Sequence, residues 1–506
     1  MVLTTIPYLI GYFYQGDSWR FTGFLIAVED GNSYIAKMLT GASGSWLFRS
    51  PFSAEKQRGA LAFFPYILLG KLTSGPAQHE QLVVIFHSYR ILAGTLASLA
   101  IYDFLALLIK KERRRVGALI VILVGGGLGW VITIAGMKNL LGSIPLDFIS
   151  PESFGFLGLF GLPHLVLARA LLFWGITAYF QHNSGFKAGI LWLLMGFFQP
   201  IFIVIIWGVC GVHSLLELIT AQMGRSKNIE WEFRTSALRR TIQAGLVSSP
   251  MVFYNAAALY FDPYLAAWTV KMDLASPHFI HYILAYGTIV PIAILGVRKM
   301  LKINRELGLF LAGWMAIFPF LIFAPVNPQR RLAEGIWVIL IGAIFIYFEN
   351  KEKIPLYGKF LLGCTFPTAI FILWGSAGRA ISPSEPVFRE AEEIKAYQAL
   401  ADFVPKNSVI LSTYEVGNSL PAWAPVRVVM GHGAETVHLD KWQREVDGYF
   451  SKNKGNIECE TFLQDNQIDY LFWGPAEELA WDWDPGIKSC LKRIYNHQGY
   501  RIFTVE

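Results

Sequence analysis

Residues 82–115 read LVVIFHSYRILAGTLASLAIYDFLALLIKKERRR, a run of 28 residues in which only Arg90 and Asp103 are formally charged, followed by Lys110-Lys111-Glu112-Arg113-Arg114-Arg115. A helix needs about 20 apolar residues to cross the hydrocarbon of a bilayer, and clustered lysine and arginine mark the cytoplasmic end of such a helix. This stretch is therefore a membrane span with a cytoplasmic end. The rest of the chain repeats the pattern: about eleven apolar stretches fill positions 1 to about 376, far more than a water-soluble domain buries. Over 506 residues, 54% are hydrophobic, 16% are charged and the mean hydropathy is +0.42. Too few charges remain to coat several soluble domains. The expected fold is a polytopic α-helical membrane protein of about 11 transmembrane helices with a small C-terminal α/β domain outside.

Charge fixes the expected orientation. Residues 381–506 carry a net −7, which leaves +13 on the membrane part of a chain whose total is +6. The cations cluster at Lys110–Arg115, Arg225–Arg240, Arg298–Arg305 and Lys351–Lys359, as cytoplasmic loops do. They require no nucleic-acid partner. The run Val2–Tyr14 lacks a basic leader and a cleavage site and reads as a first helix. Leu61–Leu72 is too short to cross and reads as re-entrant or interfacial. Residues 188–219, with Gln199-Pro200 in the middle, read as two broken helices. Further crossings fall near 116–136, 164–180, 239–259, 279–297, 307–324, 332–349 and 359–376. The division is a membrane domain over 1–376, with a first outer loop at 16–80, and an extracytoplasmic domain over 377–506. The chain is expected in a cytoplasmic (inner) membrane, with its N-terminus inside and its tail outside. In the tail, strands are expected at 408–412, 427–430, 469–473 and 501–505, and helices near 388–402, 436–450 and 476–494. Four cysteines without ligand spacing indicate neither a zinc site nor a disulfide scaffold.

Chemistry-bearing residues gather on the outer loops. Glu29-Asp30 follows the first helix, with Asn32, Tyr34 and Lys37 beside it. A carboxylate at a membrane face can take a proton, ligate a divalent ion such as Mg or Mn, or cap a helix; Asp30 would cap one that opens near Ser33–Leu39. Arg330-Arg331 stands at the outer start of a span, where guanidinium groups hold phosphate oxygens or snorkel. Arg90 and Arg169 lie within spans and need polar partners, for which Glu217 and Asp103 are available. His164, after Pro163, suits packing, capping or catalysis. The loop carrying Asp262, Trp268, Lys271 and His278 mixes aromatics with polar donors, as sugar sites and interfacial belts both do. Tail residues such as Trp423, His432 and Glu435 can contact an acceptor, although a scaffold role suffices for them.

This organisation and the acidic pair of the first loop resemble the GT-C superfamily of polytopic membrane glycosyltransferases, which includes protein mannosyltransferases, aminoarabinose transferases and oligosaccharyltransferases. Local similarity lies at about 24–52, 145–169 and 322–335. The resemblance implies inverting transfer of a sugar from a polyprenyl-phosphate donor to a lipid, polysaccharide or protein acceptor at the outer membrane face. It implies Asp30 as base or metal ligand, with Glu29 its nearest substitute, and Arg330 or Arg331 on the lipid phosphate. Tyr34, Lys37, His164, Arg169, Asp262 and His278 complete the expected substrate contacts. The chain departs from the family in lacking Asp-x-Asp in the first loop and a Trp-Trp-Asp motif. A secondary transporter and a non-catalytic lipid-binding envelope protein are the alternatives.

Overall fold

Long apolar runs become helices because a bilayer leaves backbone N–H and C=O groups no partner but each other. The computed structural model describes residues 1–223, 236–272, 274–452, 461–482 and 484–506. Part of the Arg225–Arg240 cluster and Cys459 lie outside the described residues. Among those described, six helices are long and apolar enough to cross a membrane: Gln78–Leu108, Pro163–Gln181, Ile201–Gln222, Arg305–Ile322, Gln329–Phe348 and Leu356–Ala380. A seventh is added if the pair Ile280–Gly287 and Val290–Ile303, bent by 59°, is one span.

The remaining stretches that the sequence suggests as crossings are shorter, broken or more polar. Val2–Tyr14 is a 13-residue helix containing Pro7. The stretch 116–136 is divided by Gly125-Gly126-Gly127-Leu128 into the helices Glu112–Val124 and Gly129–Ile134. Ser236–Phe261 has 26 residues, with Pro250 inside and a more polar surface. The expected break at Gln199-Pro200 is present, between Gly185–Met195 and Ile201–Met223, and Leu61–Leu72 contains only the seven-residue helix Phe64–Gly70.

The chain forms two compact units. The first comprises Met1–Thr4, Tyr89–Ala257 and Asp273–Gly375. Its centre is Ile336–Phe348, apolar all round and buried at nearly every position, as a helix surrounded by other helices must be. Arg90 and Arg169 are both buried here, but their partners differ from those the sequence offered. Arg169 makes a fork with Glu334 (Nε to Oε1 2.5 Å, Nη2 to Oε2 2.7 Å) and donates to the Pro151 carbonyl. Arg90 donates to Thr4 Oγ1 and the Leu159 carbonyl. Glu334 lies 165 residues from Arg169 in sequence, a separation that no local pattern bridges.

The second unit comprises Thr5–Ser88, Ala258–Met272 and Ser376–Glu506. Among the described residues it holds seven strands, β1 Trp19–Phe21, β2 Phe388–Glu390, β3 Val409–Leu411, β4 Arg427–Val428, β5 Tyr470–Trp473, β6 Leu491–His497 and β7 Tyr500–Val505. β1 pairs antiparallel with β2. The others form one sheet in the order β4-β3-β5-β7-β6, parallel from β4 to β5 and antiparallel beyond. The helix Leu439–Lys452 covers a face of this sheet, packing Trp442, Val446 and Phe450 with Leu411, Leu471, Trp473 and Phe503.

One tail expectation fails. In place of a helix over 476–494 there is a short helix, Pro475–Trp481, and then β6. Gln498 and Gly499 both take positive φ (50° and 84°), the two-residue turn that joins antiparallel strands, and this turns β6 back onto β7. Cys490, just before β6, is disulfide-bonded, a pairing that the spacing of the four cysteines does not signal.

Candidate active site in the second unit

The acidic pair sits on a helix that opens earlier than its sequence suggests. Val28–Ala42 begins after Ala27, a left-handed residue that offers no side-chain cap, so Glu29 and Asp30 occupy the first turn. Asp30 is therefore not the cap. Carboxylates in a first turn face unpaired N–H groups and the positive end of the helix dipole, which favours their ionised form.

Facing this turn is the loop Gly431–Thr436 of the tail. Gly431 packs so closely on Gly417 that a Cβ would come 2.2 Å from the Gly417 carbonyl carbon, so only glycine fits. Thr436 Oγ1 accepts from the N–H groups of Gly431 and His432 and donates to the Phe52 carbonyl, which ties the loop to the first-loop segment. Glu29 Oε1 accepts from the Tyr414 hydroxyl and from Gly433 N–H.

The result is a histidine aimed at an aspartate. His432 is buried, and its Nδ1 accepts from Ala434 and Glu435 N–H, each at 3.2 Å. An Nδ1 occupied as an acceptor places the proton on Nε2. Nε2 lies 3.6 Å from Asp30 Oδ1, beyond hydrogen-bond distance, with its proton on the side of the ring nearest the carboxylate. Burial raises the Asp30 carboxyl, but the neighbouring His432 ring and the charge of Lys37 outweigh it and hold the group below its ordinary range. The Asp30 side chain is 52% exposed, so a carboxylate kept ionised is reachable from outside.

Beneath the pair lies a buried ion pair. Lys37 Nζ contacts Glu435 Oε1 at 2.5 Å with both side chains almost fully buried, and Ser33 and Ser50 hydroxyls donate to the same carboxylate. The Lys37 ammonium also stands 4.2 Å from the centre of the Phe63 ring. Burial pushes Glu435 up, but the charge of Lys37, the nearby His432 ring and the Lys37 and Ser33 hydrogen bonds carry it down to about 2. Tyr264 OH donates to the Glu435 carbonyl, and Lys271 Nζ donates to the Thr436 carbonyl. The loop bearing His432 is thus fixed by segments from all three parts of the unit.

The other expected site residues are distributed as follows. Tyr34 stacks on Tyr66 with ring centres 4.7 Å apart, as a core residue does. Asp262 caps the helix Pro263–Lys271 by accepting from Tyr264 N–H and also accepts from Arg58 N–H, which occupies its oxygens. His164, Arg169, His278, Arg330 and Arg331 belong to the first unit. There His164 is half-buried at the start of the helix Pro163–Gln181, and His278 is exposed against Phe279. Arg331 Nε lies 3.6 Å from Glu152, and Arg330 Nε is buried with no hydrogen-bond partner among the described residues.

Two residues of the constellation, His432 and Glu435, stand about four hundred positions from Asp30 in sequence. The Gly431-His432-Gly433 run is the one local signal of a tight loop that presents a side chain.

Asp30 does not belong to a group of three metal-type donors among the described residues; its neighbours are a protonated ring nitrogen and a lysine, which suit a cation poorly. A seat for a divalent cation exists in the first unit instead. His213, Glu217 and Glu306 bring one ligand atom each to within 4.8 Å of one another.

No family model and no curated protein matches the chain. Among solved structures, the chain is similar to the oligosaccharyltransferase AglB from Archaeoglobus fulgidus in complex with an inhibitory peptide and a dolichol-phosphate, at a TM-score of 0.45 and 12% identity, covering 100% of this chain and 74% of that one. The same enzyme tethered to an acceptor peptide gives a TM-score of 0.44 at 12% identity, with 100% and 74% covered. ArnT from Cupriavidus metallidurans in the apo state gives 0.48 at 9% identity, with 99% and 97% covered.

Proposed function

We propose that this chain is a membrane glycosyltransferase whose catalytic base is Asp30. The observation that carries the reading is the half-exposed Asp30 carboxylate, kept below its ordinary pKa with the Nε2 of a buried histidine 3.6 Å away. A base for an acceptor hydroxyl or amine must be ionised, reachable and oriented, and Asp30 combines the three. In the proposed step the acceptor's lone pair attacks the anomeric carbon of a polyprenyl-phosphate-linked sugar. The anomeric C–O bond breaks, the electron pair leaves with the lipid phosphate, and the acceptor proton passes to Asp30. Inversion follows from attack opposite the leaving group.

His432 positions Asp30 and keeps its charge, and Glu29, bound by Tyr414 and Gly433, fastens the loop that presents His432. The chemistry belongs outside the cell, and the disulfide at Cys490 supports an oxidising compartment for the tail.

The test is transfer of radiolabelled sugar from synthetic polyprenyl phosphates to membrane extract by purified protein. Transfer by the wild type that is lost in Asp30→Asn, with the variant still folded, supports the reading. Equal transfer by both proteins refutes the role of Asp30, and binding of donor without transfer across several sugars refutes the enzyme.

A further inference from the structure

We propose that His213, Glu217 and Glu306 form a binding site for a zinc-class divalent ion at the end of their helices that the basic Arg298–Arg305 loop marks as cytoplasmic. His213 and Glu217 are four residues apart on the helix Ile201–Met223 and so share a face, and Glu306 stands in the first turn of Arg305–Ile322. The three ligand atoms lie within 4.8 Å of one another. Ligands about 2.1 Å from a tetrahedral zinc stand about 3.4 Å apart, so closure requires shifts of about an ångström. The two carboxylates, 17% and 36% exposed, have room to make them.

The histidine itself points to a cation. Its side chain is fully buried, and Nε2 has no hydrogen-bond partner among the described residues. Its other nitrogen, Nδ1, meets the Tyr179 hydroxyl at 3.5 Å. That hydroxyl also meets the Ala237 carbonyl and Thr241 Oγ1, each at 3.0 Å; the carbonyl can only accept, so with the single Tyr179 proton on it the oxygen accepts from His213. Nδ1 then carries the ring proton, which leaves the Nε2 lone pair directed at Glu217 Oε1 from 3.7 Å. A lone pair facing a carboxylate in a buried place is repulsive unless a positive charge stands between them.

One nitrogen and two carboxylate oxygens suit zinc, whereas magnesium and calcium prefer all-oxygen shells. A water would complete the shell on the exposed side. Arg240 already contacts Glu306 Oε1 and donates to the Tyr179 carbonyl, and its charge opposes an incoming cation. The site therefore sets an ion against an arginine for the same carboxylate and links the helices Ile201–Met223, Ser236–Phe261 and Arg305–Ile322.

The experiment uses the full-length protein, tag removed, stripped with chelator and titrated with Zn²⁺, Co²⁺ and Mg²⁺. We expect one zinc per chain by elemental analysis, a visible Co²⁺ spectrum that zinc abolishes, and little competition from Mg²⁺. His213→Ala and Glu217→Gln should each weaken zinc by more than about tenfold. Arg240→Gln should tighten it by removing the opposing charge. Thermal unfolding without metal identifies variants that fail to fold; the wild-type cobalt spectrum stands without them. No stoichiometric zinc in the wild type, zinc retained unchanged in folded His213→Ala, or preference for Mg²⁺ would overturn the proposal. None of these readouts depends on glycosyl transfer.

Discussion

Nε2 of His432 stands 3.6 Å from Oδ1 of Asp30 while Nδ1 of the same ring accepts two backbone N–H groups, so the tautomer that turns a proton toward the carboxylate is fixed by the loop itself. This makes His432 a positioning residue that can be separated from the base. Replacing Asp30 with Asn should lower transfer by about 10²–10⁴-fold, the range for loss of a general base. His432→Gln should lower it less, because Asp30 remains. Single-turnover transfer with both purified variants measures the difference. Equal losses in the two would assign the proton transfer to the pair rather than to Asp30.

The pH profile separates these roles further. His432 and Lys37 hold Asp30 below its ordinary value of 3.8 against the opposing effect of burial. The base is then ionised throughout the neutral range, and the acid limb of kcat/KM falls below pH 3.8. In His432→Ala the lowering contact is gone while burial stays, so the acid limb should move to higher pH. A profile recorded from pH 3 to 8 on both proteins checks the sign. An unmoved limb in the variant would show that His432 does not set the Asp30 charge.

Much of this arrangement was legible in the chain, for reasons that individual residues make plain. Glu29-Asp30 could be singled out because two carboxylates after an apolar helix have no bilayer role. Gln199-Pro200 announced a break because proline lacks the N–H that a helix needs. The start of the helix at Val28 was hidden, since Ala27 enters the left-handed region without the side chain that usually signals it. His432 and Glu435 carried no local mark of their partners, because the contacts to Asp30 and Lys37 are made by tertiary folding across about four hundred residues. The β6 strand was concealed by its charged face, as Lys492 and Arg493 point outward on an exposed edge.

The ion pair beneath the site should be a large contributor to its integrity. Lys37 and Glu435 are both almost fully buried, so removing one leaves the other charged without a partner. Lys37→Met is expected to destabilise the protein by about 3–5 kcal/mol, and Glu435→Gln by a similar amount. The double variant Lys37→Met/Glu435→Gln should recover part of the loss, since no lone charge stays behind. Denaturant or thermal unfolding in detergent, arranged as a double-mutant cycle, gives the coupling. Additive losses would show that the two charges are not each other's main partner.

A second buried carboxylate in the tail predicts a pH dependence of opposite sign to that of Glu435. Glu477 accepts from Thr413 N–H and hydroxyl through Oε1 and from Gly474 N–H through Oε2. Burial is the larger influence and pushes its carboxyl up to about 7, from an ordinary 4.5, against those hydrogen bonds. Between these values the folded chain binds more protons than the unfolded one, so stability falls as pH rises from about 4.5 to about 7. Glu435, held at about 2, acts in the opposite sense: its contribution is complete above the ordinary 4.5 and is lost as pH falls toward 2. The two windows do not overlap, so they can be read separately. Unfolding midpoints of wild type and Glu477→Gln between pH 4.5 and 8 should show a downward slope through the window in the wild type that is reduced in the variant, which has no carboxyl to titrate there. Parallel profiles for the two proteins would place the titrating group elsewhere.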